Sequence, residues 1–184
     1  PVKTVSVLPH KLKSLGVGYA LSNGLLSPLS DYSIKESTTD LSITTTDALS
    51  VPATHPYETL QKIPPNTTFR VTAKFQEKAI LFKDTAITES AALAKEDEIL
   101  YFAEDISRLN AIDKAIGLAH IDHAKLAGTT LLLSGKIDLK VVQKAHQVGI
   151  HAIISRTAPT LAAYQYCVTN KINLIGFARG KRAN

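Results

Sequence analysis

TTLLLSGKIDLKVVQKAHQVGIHAIISRTAPTLAAYQYCVTNKINLIGF, residues Thr129 to Phe177, is the stretch whose reading decides the fold. Short apolar runs bounded by turn residues alternate in it with longer segments of helical period. The pattern predicts a strand from Thr129 to Leu133, a helix from Asp138 to Val148 and a strand from Ala152 to Ser155. A helix from Pro159 to Thr169 and a strand from Leu174 to Phe177 follow. Strand and helix in strict alternation specify right-handed crossovers and a parallel sheet with helices packed on its faces. In such a sheet a ligand crevice lies beyond the carboxyl ends of the strands. Three polar groups fall there: Ser134-Gly135-Lys136, Arg156-Thr157 and Arg179-Gly180-Lys181-Arg182.

Outward from this half, Glu89 to Ala94 and Ile99 to Glu104 read as a hairpin turning at Lys95-Glu96-Asp97. Ser107 is placed to cap a long helix with Ile112, Ala115, Ile116 and Ala119 along one side. Asn66 or Thr67 is expected to cap a helix running to about Lys83, with Phe75, Ala79 and Phe82 as its buried stripe. Ala48 to Pro65 contains four prolines and no periodicity, so it reads as a loop. Before it, Val2 to Val7 reads as a strand, and Lys11 to Leu21 as a helix ended by Asn23-Gly24. Tyr32 to Lys35 and Leu41 to Thr46 are β-prone. The expected organisation is a smaller N-terminal α+β part, residues 1–65 with the irregular loop 48–65, followed by an α/β domain, residues 66–184, that carries the crevice.

Composition narrows the partners. The chain has 184 residues, 45% of them hydrophobic, and no apolar stretch approaches the length of a membrane span, so no membrane association is expected. Pro1 to Val7 lacks the pattern of a secretory signal, and the single cysteine, Cys167, does not suit an oxidised secreted domain; both favour a cytoplasmic protein. A net charge of +5 favours anionic partners. The basic residues are scattered apart from Arg179, Lys181 and Arg182, and aromatics are not interleaved with them. A small phosphorylated ligand is therefore expected, and nucleic acid is not.

Taken singly, the candidate residues stay open between chemistry and structure. Ser134-Gly135-Lys136 can offer backbone N–H groups to a phosphate at a helix start. It is not a Walker A loop, since Ile137 stands where Ser or Thr is required, and an ordinary strand-to-helix turn is the plainer reading. Arg156 to Thr160 offers a guanidinium and two hydroxyls at a helix start, or a Thr157 cap beside a surface arginine. Gly176 to Arg182 surrounds Phe177 and Arg179 with glycines and can admit a planar group, or form a solvated basic tail. Glu104 to Lys114 packs charge at a strand end and reads either as an ion network or as a ligand-positioning group. His120 and His123 read as an exposed pair and no metal is expected; Cys167 reads as a buried inert thiol.

Several of these segments together carry a resemblance. LFKDTAITESAAL (Leu81 to Leu93), ILYFAEDISRLNAIDKAIG (Ile99 to Gly117), LLLSGKIDLKVVQKA (Leu131 to Ala145), IISRTAPT (Ile153 to Thr160) and LIGFARGKR (Leu174 to Arg182) resemble the FdhD/NarQ family of formate dehydrogenase accessory proteins. LGVGYALSNGLL (Leu15 to Leu26) resembles the family's N-terminal helix and turn. The resemblance implies a three-layer α/β/α fold with a mixed sheet, similar to cytidine deaminases. It implies sulfurtransferase activity, with sulfur carried as a persulfide to the molybdenum bis(molybdopterin guanine dinucleotide) cofactor of formate dehydrogenase. A homodimer, formate dehydrogenase and a cysteine desulfurase are the implied partners. Carried over residue by residue, the guanine dinucleotide end meets Phe177, Ala178, Arg179, Gly180, Lys181 and Arg182, with Arg156, Thr157 and Ser134 nearby.

The family's CxxC pair has no counterpart, so no catalytic cysteine is visible, and Glu89 and Leu109 stand where the family pattern has histidines. The chain also lacks methionine, unusual at this length. Two explanations follow: a non-catalytic, cofactor-binding or chaperone paralogue, or a family loop absent from this form of the chain. A zinc-dependent deaminase would need a cysteine pair and is set aside.

Overall fold

The computed structural model describes residues 4–37, 40–45, 62–180 and 182–184. In chain order the elements are α1 (Leu12–Ser22), β1 (Tyr32–Glu36), β2 (Leu41–Thr45), α2 (Pro65–Lys78), α3 (Ile80–Thr85), β3 (Glu89–Lys95), β4 (Glu98–Asp105) and α4 (Arg108–Ile121), then β5 (Thr130–Leu133), α5 (Leu139–Gln147), β6 (Ala152–Ser155), α6 (Leu161–Thr169) and β7 (Asn173–Ile175). A five-stranded mixed sheet has the order β4-β3-β5-β6-β7. Strands β5, β6 and β7 are parallel, as the alternation predicts, whereas β3 is antiparallel to both β4 and β5. Strands β1 and β2 form a separate antiparallel pair.

Successive residues of a strand point to opposite faces, and this sorts the core in two. Leu93, Leu131, Leu133 and Ile153 face α1, α4, α5 and α6, meeting Val17, Ile112, Val141 and Ala163. Ala92, Ala94, Leu132 and Ile154 face the other way, onto Val71 and Phe75 of α2 and onto Ala178. The result is an α/β/α arrangement with unequal layers: α1, α4, α5 and α6 on one face, α2 and the C-terminal segment on the other, while the short α3 buries none of its residues. Each fully buried Leu or Ile contributes roughly 1.5–3 kcal/mol relative to exposure.

Helices α1 and α4 meet backbone to backbone. A Cβ at Gly18 would lie 1.7 Å from the Asp113 carbonyl oxygen, and one at Gly117 would lie 1.8 Å from that of Ser14, so neither position admits a side chain. Beside this crossing, the buried Lys144 ammonium pairs with Asp113 at 2.9 Å and also donates to Ser22 Oγ at 2.8 Å.

Three segments depart from the expectation. Residues 4–8 are not a strand: side chains of the sheet edge and α4 take up their backbone groups instead. Asn110 Nδ2 donates to Ser6 O at 2.9 Å, Leu8 N–H donates to Asp105 Oδ2 at 3.3 Å, and Lys114 Nζ donates to Leu8 O at 3.0 Å. The expected helix to Lys83 begins at Pro65, whose fixed φ suits the first helical position, so neither Asn66 nor Thr67 is the cap. It also breaks at Ala79, leaving Phe82 44% exposed rather than in a buried stripe. Most of the expected 48–65 loop, residues 48–61, lies outside the described residues.

Candidate functional site

Strand β4 runs parallel to β5, since both oppose β3, so the carboxyl ends of β4, β5, β6 and β7 share one edge with the start of β3. A pocket of about 660 Å³ opens there, a volume suited to a ring system with an attached phosphate. Ser134, Gly135, Lys136, Arg156 and Thr157 form one side, Glu89, Ser90 and Arg108 lie across the sheet edge, and Phe75, Ala79 and Phe82 form an apolar wall. The two loops after β5 and β6 are locked together: Ile137 N–H donates to Ala158 O at 3.3 Å, and Thr160 N–H to Ile137 O at 2.8 Å.

Within the pocket several polar groups are committed and three are not. Ser134 Oγ donates to Glu89 Oε2 and accepts from Ser90 N–H at 2.9 Å. Arg108 pairs through Nη2 with Asp138. Ser90 Oγ, Arg108 Nε and Arg156 Nε are buried and have no hydrogen-bond partner among the described residues. A buried donor left unpaired costs roughly 1–3 kcal/mol, so three at one pocket mark a place where the fold gives up stability.

The sequence-predicted residues divide. Ser134, Arg156 and Thr157 line the pocket. Phe177, Ala178, Arg179, Gly180 and Arg182 form a C-terminal hook beside it; Lys181 lies outside the described residues. The hook is tied to the β6 end, with Phe177 N–H donating to Thr157 O at 3.2 Å, Ala178 N–H to Ser155 O at 2.9 Å and Arg179 Nε to Arg156 O at 2.7 Å. Arg179 and Arg182 exchange backbone bonds around Gly180, whose φ is +58°. The N–H groups of 176–179 and 182 are thus consumed internally and Ala178 is buried, so recognition here falls to the Phe177, Arg179 and Arg182 side chains. Helix starts are likewise taken: Asp138 Oδ1 accepts from Val141 N–H at 3.1 Å, and Thr160 Oγ1 from Ala163 N–H at 3.2 Å. Thr160, not Thr157, caps α6, and the phosphate expected on the α5 N-terminus meets a carboxylate instead.

The dense run from Glu104 to Lys114 is chiefly a structural network. Glu104 accepts from the N–H groups of Leu81 and Phe82 at 3.0 and 2.9 Å and so anchors α3. Asp105 meets Lys114 at 2.6 Å, both side chains being fully buried. Arg108 alone of this run reaches the pocket. His120 is half-buried against Tyr32, with ring centroids 5.8 Å apart, and burial followed by the charge of His123 holds its pKa below the ordinary value. Among the described residues no three His, Cys, Asp or Glu side chains converge on a metal position. Cys167 is 2% exposed, and burial pushes its thiol up to about 11. Glu89 and Ser90 also line the pocket and are not among the residues the sequence assigns to a ligand; the signals for them are a pair of polar residues opening an otherwise apolar strand and the place of Glu89 where the family pattern has a histidine.

An α/β scaffold with an open, cation-lined pocket at the carboxyl ends of its strands is the class this architecture defines. A profile of the FdhD/NarQ family matches residues 41–184. "Protein FdhD" of Methanocaldococcus jannaschii is 30% identical over 189 aligned residues, covering 100% of this chain and 80% of the relative. "Sulfur carrier protein FdhD" of Shouchella clausii is 34% identical over 116 residues, 63% of this chain and 43% of the relative. That of Listeria monocytogenes is 35% identical over 116 residues, 63% and 44% respectively. The chain thus aligns with under half the length of these bacterial relatives. The crystal structure of a protein taken to be a formate dehydrogenase accessory protein, from Desulfotalea psychrophila, superposes with a TM-score of 0.82 over 99% of this chain and 80% of that one. At 20% identity that likeness is one of fold. The chain belongs to the FdhD/NarQ family. Among the described residues no helix is long and apolar enough to cross a membrane.

Proposed function

We propose that this protein is a formate dehydrogenase accessory protein that binds molybdenum bis(molybdopterin guanine dinucleotide) along the sheet edge. Ser134, Arg156 and Thr157 would meet one part of it and the hook side chains Phe177, Arg179 and Arg182 another, Lys181 being assigned there by family pattern alone. The observation that carries this reading is the pair of buried guanidinium nitrogens, Arg108 Nε and Arg156 Nε, left without partners at the pocket. A ligand rich in phosphate and ring oxygen supplies the acceptors they lack. A pocket of 660 Å³ is too small for the whole cofactor, so the remainder lies across the hook. Formate dehydrogenase and a cysteine desulfurase as partners, a homodimer and a cytoplasmic location follow from the family reading.

Calorimetry with GDP as the probe tests it. Micromolar or tighter binding is expected, weakened about tenfold or more by Arg179→Ala; absence of binding, or an affinity unchanged by that substitution, overturns the site.

For sulfur transfer a specific observation favours the non-catalytic reading. A persulfide carrier needs an accessible thiolate, and the chain's one thiol, Cys167, is buried in the core with its pKa raised to about 11. We therefore assign this chain cofactor binding rather than sulfur carriage. Incubation with a cysteine desulfurase and cysteine is expected to leave Cys167 without persulfide; a labelled Cys167 would restore the sulfurtransferase reading.

A further inference from the structure

Among the described residues Glu89 is the one carboxylate lining the pocket, whose other charged side chains are cations. Its Oε2 accepts from Ser134 Oγ, which leaves lone pairs on both carboxylate oxygens for further donors. The carboxylate occupies space that exists only because residue 135 is glycine: a Cβ there would lie 2.8 Å from both Glu89 oxygens. Ser90, 1% exposed, brings a second free group, its unpartnered Oγ, to the same end of β3. The same pocket is lined by the exposed ring of Phe82 and by Lys136 and Arg156, from the loops after β5 and β6.

Cations alone would suit any anion. A carboxylate among them would repel a plain phosphate, and it selects a ligand that brings N–H donors as well as negative charge. Two adjacent donors in a plane are what a carboxylate accepts best, each oxygen having lone pairs to spare. The ring N–H and 2-amino group of a 2-amino-4-oxopyrimidine present such a pair, and the flat face of that ring suits an aromatic wall.

We infer that Glu89 reads the 2-amino-4-oxopyrimidine edge of a heterocycle seated in the pocket, with Arg156 and Lys136 facing its phosphate. Pterins and guanine share this edge. The inference rests on the cofactor reading above and deepens it: with the guanine end on the hook, Arg156, whose carbonyl holds Arg179, lies at the junction of the two sites, and the pocket receives the pterin end.

Glu89→Gln keeps the shape but replaces one acceptor oxygen by a donor, so it cannot accept both N–H groups. Gly135→Ala leaves the carboxylate intact but displaces it, and since the clash is with the far end of a flexible side chain, the fold is expected to persist. Titrations of 6-hydroxymethylpterin, GDP and IDP, which lacks the 2-amino group, are made on the full chain and both variants. The expected result is pterin binding that falls about tenfold in each variant, with GDP affinity unchanged. GDP preferred over IDP about tenfold, with the preference abolished in both variants, also upholds Glu89 as the reader and assigns guanine to the pocket. Pterin that fails to bind, or binds all three proteins alike, together with a GDP to IDP ratio indifferent to both substitutions, overturns the inference. GDP binding that still depends on Arg179 in that case leaves cofactor binding standing, whereas loss of that dependence removes both.

Discussion

Helix α4 and the edge pocket are equally rich in charge, yet they treat it in opposite ways. Around α4, Asp105 at the end of β4 takes hydrogen bonds from Leu8 N–H, Ser107 N–H and Asn110 and pairs with Lys114, and Asp113 is shared by Lys144 and Ser22, so both of these buried carboxylates are met. In the pocket, Arg108 Nε, Arg156 Nε and Ser90 Oγ are equally removed from water and unmet. Desolvation costs both regions, and only α4 recovers it within the chain. Charge density alone therefore does not locate a site; unsatisfied hydrogen-bonding capacity does.

The contrast can be broken by removing one charge from each region. Lys114→Met leaves the fully buried Asp105 without its cation, and a loss of about 3–5 kcal/mol is expected by urea denaturation. Adding Asp105→Asn should recover part of that loss; a single variant as stable as the parent would show that the network is not structural. Arg156→Ala should do the reverse, removing an unmet buried donor and so leaving stability unchanged or raising it by up to about 1–3 kcal/mol while lowering affinity for GDP about tenfold. Destabilisation as large as that of Lys114→Met would make Arg156 part of the scaffold. The smallest effect concerns His10, whose pKa is held below its ordinary 6.5 by burial first, then by Lys114 and Lys11. Its folded pKa lies below the unfolded one, so its contribution is present above pH 6.5 and is lost as pH falls toward the folded value. Stability should therefore decline modestly below pH 6.5, and His10→Gln should flatten that decline in melts at pH 7.5 and 5.5.

The parallel half is legible because its signals are local: strands of three or four residues, turn residues and caps all lie in one continuous stretch. The same stretch yields Ser134, Arg156 and Thr157, since topology alone places strand ends at a crevice. Other features depend on residues far away in sequence. The N-terminal segment has a strand's alternation, but Asp105, Asn110 and Lys114 claim its backbone from about a hundred positions downstream. The break at Ala79 has no proline or glycine to announce it; what anchors the new helical turn after it is Glu104, reaching the Leu81 and Phe82 amides. The family pattern marks position 89, but the room its carboxylate occupies depends on Gly135, forty-six positions later. The hook shows the converse error: its glycines read as openings for a ligand, yet its backbone groups are spent on one another and on the β6 end.

The glycine crossing of α1 and α4 also sets the order of events during synthesis. Helix α1 leaves the ribosome before α4, and Gly117, the surface on which Gly18 must seat, follows about a hundred residues later. At 5–20 residues per second this is roughly 5–20 s in which Leu15, Val17 and Leu21 have no α4 to cover them. A backbone contact closer than any side chain allows cannot be approximated by another partner in that interval. The nascent chain thus carries an apolar helix in waiting until the α4 part of its own core is made.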